Sequence, residues 1–271
     1  MKTKKQFGQH WLKNERVLDR IVEAAHILPT DRILEIGPGT GILTRRLLPL
    51  ASAVLSVEID RDLCRLLVKN LGDVANFLLI QGDFLTVKIE ELLTDFPSFQ
   101  QPNKVVANIP YNITGPILEK LLGTIVQPVA HPFESIVLLV QHEVAERLCG
   151  KPGTKAFGAL SIRVQYLADC EFICPVPARD FSPPPQVDSA VIRLTPRLFE
   201  LQAKDPKFLD RLVKLGFATR RKMLRNNLQS IIEREDMSEL LISLNIHPEA
   251  RAENLSVHQW VELANLFGER S

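Results

Sequence analysis

One octapeptide constrains this chain more than any other segment: Leu34-Glu35-Ile36-Gly37-Pro38-Gly39-Thr40-Gly41. An apolar run passes directly into three glycines at alternate positions. That suits a strand that ends in a tight turn before a helix, with the backbone open to close approach by a ligand. The spacing is G-x-G-x-G, so the dinucleotide fingerprint G-x-G-x-x-G is not met, and no Gly-Lys-Ser/Thr follows to make a phosphate loop of the Walker type. The flanking sequence agrees with a strand–turn–helix unit. Short apolar runs at 32–36, 53–59, 76–80, 104–108 and 136–141 read as strands, with helices between them at 42–50 and 61–71. Continuously apolar strands belong to sheets covered on both faces by helical crossovers. The expected fold is therefore α/β, a Rossmann-like, doubly wound and mostly parallel sheet. Two later runs, 170–175 and 190–194, flank Ser182-Pro183-Pro184-Pro185 and predict an antiparallel addition at one edge, giving seven strands. From about Asp205 onward apolar residues recur at helical spacing as far as Phe267. The expected division is a catalytic domain over 1–196 and a small helical domain over 197–271.

Composition excludes several classes. With 45% apolar and 24% charged residues the chain is no disordered segment. Its longest notable apolar run, 136–140, is five residues, far below the roughly 18–20 that span a bilayer. The lysine-rich start is followed by Gln6, Gly8, Gln9 and His10 rather than an apolar segment, so a cytoplasmic protein is expected. Cys64, Cys149, Cys170 and Cys174 form no C-x-x-C pair. They are expected to be free thiols, and no metal site is expected. Lys plus Arg is 33 against 32 for Asp plus Glu, a net +1. That excludes a chain basic all over, yet it conceals a stretch, 211–227, with six basic residues and no acidic one. Arg221 and Arg225, four apart, are expected on one helix face, where clustered cations grip phosphates without reading sequence.

The predicted strand ends carry the chemistry. Glu58 closes the second strand, 21 residues after Gly37, where a carboxylate accepts hydrogen bonds from both hydroxyls of a ribose. Asp83, in Gln81-Gly82-Asp83-Phe84, closes the third; it is placed to accept from an adenine amino group, with Phe84 as an apolar wall. Together these imply a nucleoside at the carboxyl edge of the sheet. The fourth strand ends in Asn108-Ile109-Pro110-Tyr111. An exocyclic amino nitrogen is a poor nucleophile because its lone pair is delocalised into the ring. The Asn108 amide oxygen and a backbone carbonyl of the Ile109-Pro110 turn can each accept one amino hydrogen. That favours a pyramidal nitrogen, an interaction stronger in the transition state than in the ground state. Tyr111 offers a face for the base, which has to leave any helical stack to reach the site.

This combination resembles the S-adenosylmethionine-dependent adenine-N6 methyltransferases. Three further segments narrow the resemblance to the ribosomal RNA adenine dimethyltransferases. Phe7-Gly8-Gln9-His10-Trp11-Leu12 resembles the family's N-terminal motif, with Trp11 for the usual Phe and His10 where Asn is often found. Phe181-Ser182-Pro183-Pro184-Pro185-Gln186-Val187-Asp188-Ser189 matches Phe-x-Pro-x-Pro-x-Val-x-Ser. The segment 217–228 resembles the C-terminal domain of the KsgA-type small-subunit enzymes. The resemblance implies S-adenosylmethionine as methyl donor, with His10, Leu12, Glu35, Gly37, Gly39, Gly41, Glu58, Ile59, Asp83, Phe84 and Asn108 as its site. It implies Asn108, Pro110, Tyr111 and Phe181 as the catalytic set, Phe181 stacking on the target adenine opposite Tyr111. His142 and Glu143 are expected to be structural and RNA-facing. Arg220, Arg221, Lys222 and Arg225 are expected to bind RNA. The implied reaction is dimethylation of N6 on two adjacent adenosines near the 3′ end of 16S rRNA, in an immature small subunit, by a monomer. Its rivals are an Erm-like 23S rRNA methyltransferase, a non-catalytic nucleic-acid-binding factor of the same fold, and a nucleotide-dependent dehydrogenase.

Overall fold

The computed structural model describes residues 10–270. Phe7, Gly8 and Gln9 of the N-terminal motif, and the basic residues Lys2, Lys4 and Lys5, lie outside the described residues.

A two-residue strand, β1 (Trp11–Leu12), leads into α1 (Glu15–Ala25), which Asn14 caps by accepting from the Arg16 N–H. Next come β2 (Arg32–Ile36), the glycine turn, α2 (Thr44–Leu47), β3 (Ala53–Glu58), α3 (Arg61–Leu71) and β4 (Phe77–Gln81). After α4 (Ile89–Leu92), β5 (Lys104–Asn108) runs into a 3-10 turn, Tyr111–Ile113, and then α5 (Thr114–Leu122). The chain continues through β6 (Ser135–Gln141), α6 (His142–Leu148), α7 (Ala159–Leu167), β7 (Ala168–Val176), β8 (Phe181–Ser182) and β9 (Ser189–Pro196). Four more helices follow: α8 (Pro206–Gly216), α9 (Leu224–Asn227), α10 (Arg234–Ser243) and α11 (Val257–Arg270).

Seven strands form one sheet in the order β4-β3-β2-β5-β6-β9-β7. The pairs β3/β4, β2/β3, β2/β5 and β5/β6 are parallel, and β9 returns antiparallel against β6, matching the expected class. Strand order reverses between β2 and β5: the chain leaves β2 for β3 on one side and later returns to β5 on the other. Ligands of open α/β sheets bind in the crevice at such a switch point, outside the carboxyl ends of the strands. Ile33, Val54, Val106, Val137, Leu139 and Val191 are wholly buried in the core that fixes this arrangement. The helix expected at 42–50 is regular only over Thr44–Leu47, because its flanks mix i−3 and i−4 bonds, with Arg46 donating to Leu43 and Leu50 to Leu47.

Contacts group the chain into two compact units that a single cut after residue 196 does not describe. One holds 1–121, 131–145 and 171–196, and includes nearly the whole sheet. The other holds 122–130, 146–170 and 197–271. In the second unit Trp260 is fully buried and stacks on Phe217 at 5.7 Å, and Gly216 leaves the room its ring needs, since a Cβ there would lie 2.4 Å from the indole.

Candidate active site

A cavity lies along the carboxyl ends of β2, β3, β4 and β5, lined wholly by residues of the first unit. Its floor is the turn after β2. Gly37 and Gly39 adopt positive φ, +66° and +60°, which L side chains rarely take. At Gly39 the backbone lies against the Trp11 indole, with only 3.5 Å between the ring and the place a Cβ would occupy. Gly41 is also left-handed, at φ +79°, but it is not part of the lining. A Cβ there would meet Leu67 of α3 at 2.9 Å, so Gly41 serves helix packing rather than the cavity.

Glu58, at the end of β3, and Glu35, within β2, are both buried. Glu58 accepts from the Gly39 N–H at 3.1 Å and the Asp60 N–H at 2.9 Å, which ties the end of β3 to the glycine turn. Burial raises its pKa against those hydrogen bonds. Glu35 accepts from the Thr44 and Ser56 hydroxyls, each at 2.7 Å, through one oxygen. Its other oxygen is buried without a partner. Burial pushes the Glu35 carboxyl up to about 7, against the two hydroxyl donors and with some help from the Glu58 charge. Ile59 lines the cavity with its side chain 45% exposed, an apolar group at the mouth rather than in the core. Asp83 and Phe84 follow at the end of β4, with Asp83 Oδ1 accepting from the Leu85 N–H at 2.9 Å and Phe84 buried in the wall.

The N-terminal residues cover the cavity. Leu12 pairs with Phe181 and Trp11 with Ser182 in a two-stranded antiparallel ladder. The His10 imidazole donates from Nδ1 to the Pro183 carbonyl at 2.8 Å and lies nearly parallel to the Tyr111 ring, 18° off, at 6.1 Å. His10, Trp11 and Leu12 all line the cavity. Trp11 is not among the cofactor-site residues that the resemblance implies, yet its ring is part of the lining. Its Nε1 is buried without a partner, a signal that only appears once the ring is placed.

At the end of β5 the Asn108 amide nitrogen donates to the His10 carbonyl at 3.4 Å, which leaves the amide oxygen as its acceptor. Pro110, extended at φ −63° and ψ 132°, leads from β5 into the 3-10 turn that begins at Tyr111. Tyr111 is half-buried, and its hydroxyl shares a hydrogen bond with the buried Ser189 hydroxyl. Burial raises its pKa. Asn108, Ile109, Pro110, Tyr111 and Ile113 all line the same cavity as Glu58 and Asp83.

Phe181 is placed differently from the expectation. It is 1% exposed, packs in the core with Leu12, Leu18, Ile21 and Val176, and is absent from the cavity lining. Its ladder with β1 holds the ring inward, and no face remains for a base in this conformation. The His142 ring lies edge-on to Phe172, and its backbone N–H donates to the Asp188 carbonyl at 2.9 Å. The basic stretch also departs from a single helix face. Arg220 and Arg221 sit in a turn, and α9 starts only at Leu224, so Arg221 and Arg225 do not share a helix. Asn227 ties this turn down through the Gly216 and Thr219 carbonyls. Arg220 donates to the Lys155 carbonyl at 2.6 Å and faces Glu253, and Arg225 faces Glu249. Arg221 and Lys222 are exposed and make no ion pair among the described residues.

Comparison with known proteins decides the family. A model described as ribosomal RNA adenine dimethylase matches residues 1–269. The chain belongs to this family. Among its relatives, a ribosomal RNA small subunit methyltransferase A of Trichormus variabilis is 69% identical over 262 residues, 97% of each chain. One of a Nostoc species is 66% identical over 268 residues, 99% of each chain. In solved structures, a dimethyladenosine transferase from Plasmodium falciparum superposes with a TM-score of 0.79 at 27% identity, covering 96% of this chain and 98% of that one. The 23S rRNA methyltransferase ErmE gives a TM-score of 0.74 at 28% identity, covering 95% and 99%. This dimethylase therefore has the methyltransferase fold, with its cavity at the switch point of the sheet.

Proposed function

We propose that this dimethylase transfers methyl groups from S-adenosylmethionine to N6 of two adjacent adenosines near the 3′ end of 16S rRNA, in an immature small ribosomal subunit. The observation that carries the reading is one cavity with two chemistries on its walls. Glu58, Asp83 and Phe84 suit a nucleoside, and Asn108, Pro110 and Tyr111 suit an amino group on a base. The small-subunit target is favoured by the names of the relatives at 69% and 66% identity. We assign it to the cytoplasm, where its substrate particle is assembled, and take it to act as a monomer.

The residues suit the donor on structural grounds. Two buried polar atoms, Glu35 Oε1 and Trp11 Nε1, lack partners in residues that line the cavity, and the left-handed glycines bring backbone to its floor. Glu58 would hold the ribose hydroxyls, Asp83 the adenine amino group, and Phe84 and Ile59 the adenine faces. S-adenosylmethionine supplies an electrophilic methyl group on a sulfonium. On the acceptor side, the Asn108 amide oxygen takes one hydrogen of the target amino group. The Pro110 carbonyl already accepts from Ile113 at 3.3 Å, so the Ile109 carbonyl takes the other. These two acceptors turn the nitrogen lone pair out of the ring, and Tyr111, braced by Ser189, supports the base. Alignment does most of the work, and no strong base is required, because the amine becomes acidic as it is alkylated. In the second unit, Arg221 and Lys222 offer uncommitted charge for phosphates, with Arg220 and Arg225 partly engaged by Glu253 and Glu249.

Labelled methyl transfer to small-subunit particles lacking the modification tests the reading. Label in the small subunit at paired adenosines is expected. Label confined to large subunits would move the protein to the specificity in ErmE's name. Absence of turnover with RNA binding retained would leave a binding factor.

A further inference from the structure

We infer that Lys120, which is not part of the lining of this cavity, is a positioning residue that sets how the site reads the adenine of the bound nucleoside. The inference rests on the reading of Asp83 and Phe84 given above.

Lys120 is the seventh residue of α5, the helix that begins at Thr114 shortly after the Asn108–Tyr111 turn. Its ammonium reaches across to the turn after β4. It donates to the Phe84 carbonyl and, at 2.9 Å, to the Val87 carbonyl, and it sits 4.8 Å from the centre of the Phe84 ring. One cation thus fastens two carbonyls and the aromatic wall of the same five-residue turn. Asp83 also closes that turn: its carbonyl accepts from Thr86 and Val87 at 3.1 and 2.8 Å, and its Oδ1 accepts from Leu85. Asp83 Oδ1 is committed to the turn, so the direction of the remaining oxygen follows the turn's own conformation. The Phe84 and Val87 carbonyls converge on one point and repel each other unless a donor draws them together, and Lys120 supplies that donor. Partial burial lowers the Lys120 pKa, against the Asp83 and Glu90 charges, which favour the ammonium. Cation–π attraction adds a preference for one Phe84 ring orientation. Lys120 is itself exposed, so its head group can be replaced without opening the core.

The same ammonium links the two halves of the site. α5 carries the Tyr111 turn at its start, where Thr114 Oγ1 donates to the Tyr111 carbonyl at 3.2 Å, and Lys120 at its far side. The adenine end of the donor is therefore held in register with the loop that receives the target base.

The test uses the full chain and two ligands that differ only at the adenine 6-position: S-adenosylhomocysteine and S-inosylhomocysteine, in which oxygen replaces the amino group. Titration calorimetry on the wild type gives their affinity ratio. In Lys120→Met that ratio should fall about tenfold, because a loosened Asp83 no longer distinguishes the amino group. Lys120→Arg should recover most of it. With labelled rRNA substrate, the KM for S-adenosylmethionine should rise in Lys120→Met while kcat at saturation stays within about threefold. Lys120→Gln, which keeps one donor, serves in its place if Lys120→Met fails to melt cooperatively. An unchanged affinity ratio, or an equal weakening of both ligands, would overturn the inference. A wild type that binds both ligands equally would instead overturn the adenine subsite itself, and the inference with it.

Discussion

Tyr111 and Phe181 were expected to face each other across one base, and the fold treats them oppositely. Tyr111 follows the central strand β5, where a proline leads into the 3-10 turn, and its ring is half-buried on the cavity. Phe181 sits in a ladder with Leu12, and its ring fills the core beneath that ladder. Two aromatics in sequence motifs of equal clarity thus do different physical work. Tyr111 has one polar side-chain anchor, Ser189, and a ring that lines the cavity beside His10. Phe181 has a full shell of aliphatic neighbours and contributes to holding the N-terminal residues over the cavity. A motif therefore marks a segment, while burial shows which of its rings lines the cavity.

That contrast is open to attack, and the strongest blow falls on Phe181. Phe181→Ala should cost about 3–5 kcal/mol of stability, seen as an early thermal midpoint, while the folded fraction keeps its methyl transfer rate. Normal melting with collapsed turnover would show that the ring leaves the core to meet the base. Asn108→Ala should do the reverse. Turnover should drop about 100- to 1000-fold with melting and cofactor affinity nearly unchanged. Equal loss of cofactor binding would shift Asn108 to the donor side.

Glu35 sharpens the same distinction through pH. Its carboxyl titrates near 4.5 in the unfolded chain and at about 7 when folded. A raised pKa means that the native state holds the proton more tightly. Its contribution to stability is full below pH 4.5 and disappears as pH rises through about 7, at most about 3 kcal/mol. Chemical denaturation from pH 4.5 to 8 should show this fall in the wild type and a flatter profile in Glu35→Gln. Parallel profiles would mean that the buried carboxyl stays ionised.

Smaller effects are expected from Tyr111→Phe, which keeps the ring and removes the Ser189 hydrogen bond. Loss of about 1 kcal/mol from kcat/KM fits an anchoring role, whereas no change would leave the ring held by packing alone. Arg221→Ala and Lys222→Ala should each reduce the salt dependence of rRNA binding by about one unit of slope, and Arg220→Ala by less, since its guanidinium already holds the Lys155 carbonyl.

The sheet was legible because its signals are local. Apolar runs mark strands, and their ends mark a crevice, so Glu58, Asp83 and Asn108 could be placed from chain position alone. The glycine loop was legible for the same reason at Gly37 and Gly39. What one sequence could not tell was which side of a local feature meets which distant segment. Gly41 belongs to the same alternating triplet, yet α3 lies against it. Arg221 and Arg225 keep helical spacing, but the helix starts three residues after Arg221.

The sequence by itself therefore determined the order of strands and helices and the carboxylates at the strand ends, together with the turn that presents Asn108 and Tyr111. Periodicity and turn chemistry act over a few residues and are written out in the chain. Only the tertiary structure decided that Phe181 is core, that Trp11 brings a buried unpaired N–H to the cavity, and that residues 146–170 group with the C-terminal helices. These depend on contacts between segments far apart in the chain, such as Leu12 against Phe181, whose pairing is settled by the burial available when all the strands are in place.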